Sequence, residues 1–339
     1  MSLKSLVRFF RSRRLLQRYS RYLLNGEYVL LPNLRTYILN DEHGIQECKS
    51  FLGYRTWTSL KDRLARHFSK CRINGMEKCF SGTAMYMNNS PRQVSRIRFF
   101  DLKASQVFVL YLDEANYWID KNTYQIVHEP FNLPEIIHFD DSGHSYVEEL
   151  VYSRDAMSEQ DVLVATKKVI DMYSVYMSAC RRDDHVRVGK IGDLLKLKER
   201  FNLGFDEEEY PIIPIHNDLS SNNLIIGQDD RCHVIDWEHF GDNFFFFDIF
   251  RLLINDFQME KKNTRMSQYL HGMYDDELKG LFSSAHCEYM PTCRVSYLWR
   301  TFAIMVDMGY ANDGDEKKWL SLADGFQHEL AGTYNISDR

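Results

Sequence analysis

Residues 212–250 read IIPIHNDLSSNNLIIGQDDRCHVIDWEHFGDNFFFFDIF. Two apolar runs, Ile212–Ile215 and Leu224–Ile226, bracket a polar loop, and a third, Cys232–Ile235, ends at Asp236. This pattern predicts strand, loop, strand, turn and strand. The loop carries His216, Asp218 and Asn223. Asp and Asn are common in loops for turn-forming reasons alone. No single residue here identifies a site, but the whole set at fixed spacing does.

His216-Asn217-Asp218, then Asn223, then Asp236 resembles the catalytic segment of the protein-kinase-like fold. The resemblance is to the aminoglycoside phosphotransferase and choline kinase branch, which writes H-x-D-x-x-x-x-N and then a second Asp. Protein kinases write H-R-D and D-F-G; this chain writes H-N-D and D-W-E. The family places another Asp twelve residues beyond its metal-binding Asp, and 248 − 236 is 12. The H-N-D triplet, Glu238, Asn243 and Phe247-Asp248-Ile249 look most like choline and ethanolamine kinases. The resemblance implies an α+β, two-lobed kinase-like fold, with a small β-rich N-lobe and a larger, mainly helical C-lobe. It further implies ATP and Mg²⁺ as cofactors, held between the lobes.

Phosphoryl transfer asks a protein mainly for positioning and charge neutralisation. The resemblance makes Asp218 the carboxylate that aligns the acceptor hydroxyl and takes its proton. Asn223 and Asp236 supply hard oxygen ligands for Mg²⁺. His216 packs and bonds beneath the loop, Asp248 accepts the loop's backbone N–H groups, and Glu238 stands as a supporting carboxylate. The phosphate-covering loop falls at Ser81-Gly82-Thr83. The family's third-strand lysine is missing from Gln106–Leu112, leaving Lys103, Lys121, Arg96 or Arg98 as substitutes. Without that lysine, a non-catalytic pseudokinase scaffold stays open.

Composition bounds the rest. With 339 residues, 44% hydrophobic and 27% charged, the chain suits two domains or one two-lobed enzyme. Its seven cysteines include no C-x-x-C pair, so neither a disulfide framework nor a zinc site is expected, and a cytoplasmic location is the simplest reading. No run approaches the length of a membrane-spanning helix. Residues 1–74 hold 15 Lys/Arg and 5 Asp/Glu, a net +10, which leaves −16 on the remainder of a chain whose total is −6. Leu3, Leu6, Val7, Phe10, Leu15, Leu16, Tyr19 and Leu23 recur near helical spacing among arginines. Residues 1–23 therefore read either as a helix lying peripherally on an anionic membrane or as one docked on the protein. No nucleic-acid motif accompanies the charge, so no nucleic-acid partner is expected.

The expected domains are a basic extension at 1–74, a nucleotide-binding N-lobe at 75–152 and a catalytic, acceptor-binding C-lobe at 153–339. Strands are expected at Tyr28–Leu31, Thr36–Leu39, Cys79–Met87, Val94–Phe100, Gln106–Leu112, Asn116–Ile119 and Tyr146–Tyr152. Helices are expected at Trp57–Phe68, Ser158–Cys180, Ile249–Phe257, Glu277–Ser284, Cys293–Gly309 and Lys317–Leu330. The resemblance puts the acceptor site among the C-terminal helices, with Trp299 the preferred aromatic beside Tyr297 and Phe302. Asp307 and Asp313 are candidate charges for a cationic acceptor. The resemblance of H-N-D and F-D-I implies an amino alcohol such as choline or ethanolamine as the small-molecule acceptor. A sugar of a bacterial surface glycolipid and an aminoglycoside are the alternatives.

Overall fold

The structure is a computed structural model that describes residues 13–31, 36–41, 69–74, 77–87, 95–154, 158–182, 186–191, 208–259 and 264–310. The chain divides into two compact units. Unit 1 runs to Gln125 and takes in Pro134–Asp155; unit 2 comprises Ile126–Leu133 and the chain from Ala156 on. The expected helices Trp57–Phe68 and Lys317–Leu330, together with Asp313, lie outside the described residues.

Unit 1 is built on one sheet. Its strands are β1 (Gly26–Leu31), β2 (Thr36–Leu39), β3 (Cys71–Ile73), β4 (Ala84–Met87), β5 (Arg96–Asp101), β6 (Gln106–Tyr111), β7 (Ile136–Asp140) and β8 (Ser145–Glu149). They are ordered β3-β1-β2-β4-β5-β6-β8-β7. From the segment read as a basic extension at 1–74, β1, β2 and β3 join the same sheet as β4–β8. The reason is burial. Tyr28, Tyr37, Met85, Ile97 and Phe99, from β1, β2, β4 and β5, pack into one core with Leu16, Tyr22 and Leu23. Leu15 and Tyr19 pack against the same core. The stripe from Leu15 to Leu23 is therefore spent on protein and is not offered to lipid. Leu3, Leu6, Val7 and Phe10 lie outside the described residues.

Asn116–Ile119 forms no strand. It lies inside helix α1 (Glu114–Val127). The aromatic-rich run YWI invites a strand reading, but the Asp113 carboxylate accepts the Asn116 N–H at 3.2 Å and starts a helix instead. Tyr117, Asp120, Thr123 and Val127 then recur at three- and four-residue spacing. Tyr117, Thr123 and Val127 among them are buried.

Unit 2 begins with helix α2 (Glu159–Arg182), close to its expected span. Its start is a reciprocal capping pair: Ser158 Oγ accepts the Asp161 N–H at 3.1 Å, and the Asp161 carboxylate accepts the Ser158 N–H at 2.9 Å. Strands β9 (Arg187–Lys190), β10 (Glu209–Ile215) and β13 (Gly241–Phe244) pair in the order β13-β10-β9. Strands β11 (Leu224–Ile226) and β12 (Cys232–Val234) form a separate hairpin. Helices α3 (Phe247–Met259), α4 (Thr264–Leu270), α5 (Asp275–Ser284) and α6 (Arg294–Asp307) follow. Phe244, Phe245, Phe246 and Phe247 are all fully buried in the core beneath them. Among the described residues, no helix is long and apolar enough to cross a membrane.

Candidate active site

The catalytic loop leaves β10 at Ile215 and ends in a 3₁₀ turn, Ser221–Asn223, that feeds β11. Three backbone facts bring its functional residues together. Leu224 pairs with Val234 across the β11–β12 hairpin. The Ile235 N–H bonds the Asn223 carbonyl at 2.9 Å, so Asn223 sits one residue from Asp236 across the ladder. Both Asn217 (φ 61°) and Asp236 (φ 70°) are left-handed, a region that Asn and Asp enter more readily than other non-glycine residues.

Asp248 organises the loop from below. Its carboxylate is fully buried in the first turn of α3. One oxygen, Oδ2, accepts three donors: the Tyr173 hydroxyl at 2.7 Å, the His216 N–H at 2.8 Å and the Asn217 N–H at 3.3 Å. The other oxygen has no hydrogen-bond partner. Burial raises the carboxyl pKa above its ordinary value, against the opposing pull of His216, Tyr173 and Arg251. The Tyr173 hydroxyl, itself pushed well above the ordinary tyrosine range by burial and then by Asp248, stays a donor.

His216 is a brace. Its Nδ1 accepts the Asp218 N–H at 3.2 Å, so Nε2 carries the proton and donates to the Ile235 carbonyl at 2.8 Å. The ring also packs 4.8 Å from Trp237. One imidazole thus ties the backbone beside Asp218 to the backbone beside Asp236. Asn217 does the same toward β13: its amide donates to the Gly241 carbonyl at 2.8 Å and accepts from Asn243 at 2.8 Å.

Asp218 is partly exposed. Its Oδ1 is paired with the Arg251 guanidinium, and its Oδ2 has no partner among the described residues. The Asn223 amide nitrogen donates to the Asp218 carbonyl at 2.8 Å, which leaves the amide oxygen as the unspent end. Glu238 sits exposed in the turn after Asp236, its carboxylate 3.7 Å from the His239 ring. Among the described residues, no group of three or more His, Cys, Asp or Glu could hold a metal ion. An amide oxygen and one carboxylate, from Asn223 and Asp236, are instead the kind of partial set that Mg²⁺ completes with water and phosphate oxygens.

Gly82 and Thr83 are buried, and their N–H groups go to the Tyr22 carbonyl at 3.0 Å and the Phe100 carbonyl at 2.7 Å. Gly82 and Thr83 therefore form a seam in the unit 1 core with their N–H groups already spent, while Ser81 beside them is exposed. A Cβ at Gly82 would stand 2.7 Å from the Tyr22 carbonyl oxygen. Gly82→Ala is accordingly expected to cost about 1–3 kcal/mol in a denaturant melt, while an ATP-induced thermal shift survives. A lost ATP shift at full stability would support the phosphate-covering loop instead.

Lys103 lies exposed in the β5–β6 turn. The charge that does meet α1 is Arg96, the one buried cation of unit 1 among the described residues, which pairs with Asp120 at 2.8 Å. The Tyr111 hydroxyl of β6 donates to the same carboxylate.

Trp299 is half-buried, packed on the C-terminal core and edge-on to Phe302. It precedes the end of α6 by eight residues, about 12 Å along a helix. It is that end of α6 which meets the loop region, through Met308 on Asn243 at 3.4 Å and Tyr310 over the Arg251 guanidinium at 4.8 Å. Tyr310, Arg251 and Tyr173 were missed from sequence; Asn217 and Asn243 were named there, but not that they bond each other. Only Arg251 left a usable signal there, a lone cation in the apolar run of α3.

Residues 166–279 match the family described as the phosphotransferase enzyme family. That match extends from α2 to α5 and contains the whole stretch on which the resemblance rests. No curated protein matches the chain. Solved structures with similarity include a choline/ethanolamine kinase family protein from Mesorhizobium loti, at 14% identity over 73% of this chain and 87% of that one, with a TM-score of 0.36. Choline kinase LicA from Streptococcus pneumoniae aligns at 11% identity over 72% and 93%, TM-score 0.39. An aminoglycoside phosphotransferase from Alicyclobacillus acidocaldarius aligns at 12% identity over 74% and 92%, TM-score 0.38.

Proposed function

We propose that the chain transfers the γ-phosphoryl group of ATP to a hydroxyl of a small molecule. One observation carries this reading. Among His216, Asp218 and Asn223, the His216 ring and N–H, the Asp218 N–H and Oδ1 and the Asn223 amide nitrogen are spent on holding the loop, while Asp218 Oδ2 and the Asn223 amide oxygen make no hydrogen bond among the described residues. Those two oxygens are the ones the phosphoryl-transfer reading needs, one to take the acceptor's proton and one to face a metal ion.

In this reading Asp218 Oδ2 accepts the hydrogen bond of the acceptor hydroxyl and points its oxygen at the γ-phosphorus. The new O–P bond forms as the bond to the bridging oxygen of ADP breaks, and the hydroxyl proton passes to Asp218. Asn223 and Asp236 would hold Mg²⁺, which when bound neutralises charge on the phosphate oxygens. In unit 1, Arg96 is the proposed stand-in for the absent third-strand lysine, held in place by Asp120.

The H-N-D and F-D-I triplets favour an amino alcohol acceptor. A sugar hydroxyl is the second reading, favoured by Arg251: a buried cation beside Asp218 does not welcome a cationic acceptor at close range. The test is ATP–Mg²⁺ turnover with choline, ethanolamine, aminoglycosides and sugar-bearing glycolipid cores, run beside Asp218→Ala. One acceptor should be phosphorylated, with Asp218→Ala slower by about 10²-fold. An absent ATP thermal shift together with no turnover would leave the non-catalytic scaffold as the better reading.

A further inference from the structure

We propose that Arg251 is a positioning residue for Asp218, holding one carboxylate oxygen so that only Oδ2 is presented to the acceptor. The inference rests on the phosphotransferase reading above and deepens it.

Helix α3 presents Asp248, Arg251 and Asn255 at i, i+3 and i+7, which puts them on one face. That face engages the catalytic loop in order. Asp248 takes the N–H groups of His216 and Asn217. Arg251 takes the Asp218 carboxylate and, through Nη1, the Leu219 carbonyl at 3.2 Å. Asn255 donates to the same Leu219 carbonyl at 3.3 Å. Four consecutive loop residues are thus gripped by three side chains of one helix.

Arg251 is built in rather than resting on the surface. Its side chain is 6% exposed, against 36% for Asp218. Its Nε is buried with no hydrogen-bond partner, and the Tyr310 ring covers the guanidinium at 4.8 Å. A buried arginine that leaves one nitrogen unpaired is costly to keep for packing alone. What it obtains in return is a fixed carboxylate. A free aspartate on a loop rotates about χ1 and χ2; a guanidinium bonded at once to the side chain and to the next carbonyl allows one orientation. Since geometry at the reacting atoms controls rate steeply, the expected signature is in kcat rather than in nucleotide affinity.

The test compares wild type, Arg251→Ala, Arg251→Lys and Asp218→Asn in ATP–Mg²⁺ turnover. It uses the panel acceptor that is phosphorylated or, failing one, ATP hydrolysis with water as acceptor. Arg251→Ala should lose about 10²-fold in kcat with the KM for ATP within about threefold of wild type. Added guanidinium ion should restore part of the rate, and Arg251→Lys, which keeps the charge but not the two-point grip, should fall between the two. Should Arg251→Ala fail to fold, the Lys variant decides: kcat equal to wild type overturns the proposal, and a selective kcat loss supports it. A kcat within threefold of wild type for Arg251→Ala overturns it. So does a loss of ATP KM and folded signal in proportion to kcat, which would make Arg251 structural. If wild type consumes no ATP above Asp218→Asn, the phosphotransferase reading itself fails, and this proposal falls with it.

Discussion

Asp236→Asn is expected to fold like the wild type and to lose about 10³-fold in ATP–Mg²⁺ turnover. Asn is the substitution to choose because of the backbone. Asp236 sits at φ 70°, where Asn is tolerated and Ala is strained. In the turn around it, the Trp237 indole donates to the Val234 carbonyl at 2.9 Å, and its ring packs on His216 and Phe131. The exchange removes a negative charge and keeps the size of the side chain and its tolerance of the left-handed backbone. Proposed as the anionic metal ligand, Asp236 supplies the one full charge in a pair whose other member, Asn223, is neutral. A neutral pair competes poorly with water for Mg²⁺. The check is kcat across a Mg²⁺ titration beside a thermal melt. An unchanged melt with activity within tenfold of wild type at every Mg²⁺ concentration would take the metal role away from Asp236.

The site was legible because its chemistry is local. His216, Asp218, Asn223, Asp236 and Asp248 lie within one stretch in which β11 and β12 form a short hairpin and β13 returns to pair with β10, so spacing in sequence becomes spacing in the fold. What the sequence concealed are partners that arrive from elsewhere. Tyr173 comes from the middle of α2, where a tyrosine reads as core, and it is indeed fully buried. Its hydroxyl end, which bonds Asp248, has no sequence signature. Arg251 sits in FDIFRLLINDF, and its three-residue offset from Asp248 becomes meaningful only once α3 is known to lie under the loop. Gly82 misled for a physical reason. Glycine serves both where a ligand approaches the backbone and where another strand does, and here the Tyr22 carbonyl is the approaching group. The run at 116–119 misled because YWI suits a strand, while the deciding cap, Asp113, lies three residues before it.

Asp248→Ala is expected to cost about 3–5 kcal/mol and to abolish activity with it. One oxygen of Asp248 serves the Tyr173 hydroxyl and the N–H groups of His216 and Asn217, all buried. Removing the carboxylate orphans three donors beneath the loop that carries Asp218. Asp248→Asn is a different experiment. Its amide oxygen can keep all three donors, and its NH₂ replaces an oxygen that has no partner in the first place. The net change is the loss of a buried charge, so its cost should stay within about 1 kcal/mol and depend on pH.

The sign of that dependence follows from the raised carboxyl pKa. A carboxyl that holds its proton more tightly folded than unfolded releases it on unfolding, so rising pH favours the unfolded state. Its contribution is fully present below the ordinary carboxylate pKa and is lost as pH climbs through the folded-state value. Asn does not titrate. Denaturant melts of both proteins from acid to neutral pH should therefore show Asp248→Asn gaining on wild type as pH rises across that window, then levelling. If wild type gains instead, the three donors outweigh burial, the carboxylate is ionised in the fold, and its charge is part of what holds the loop.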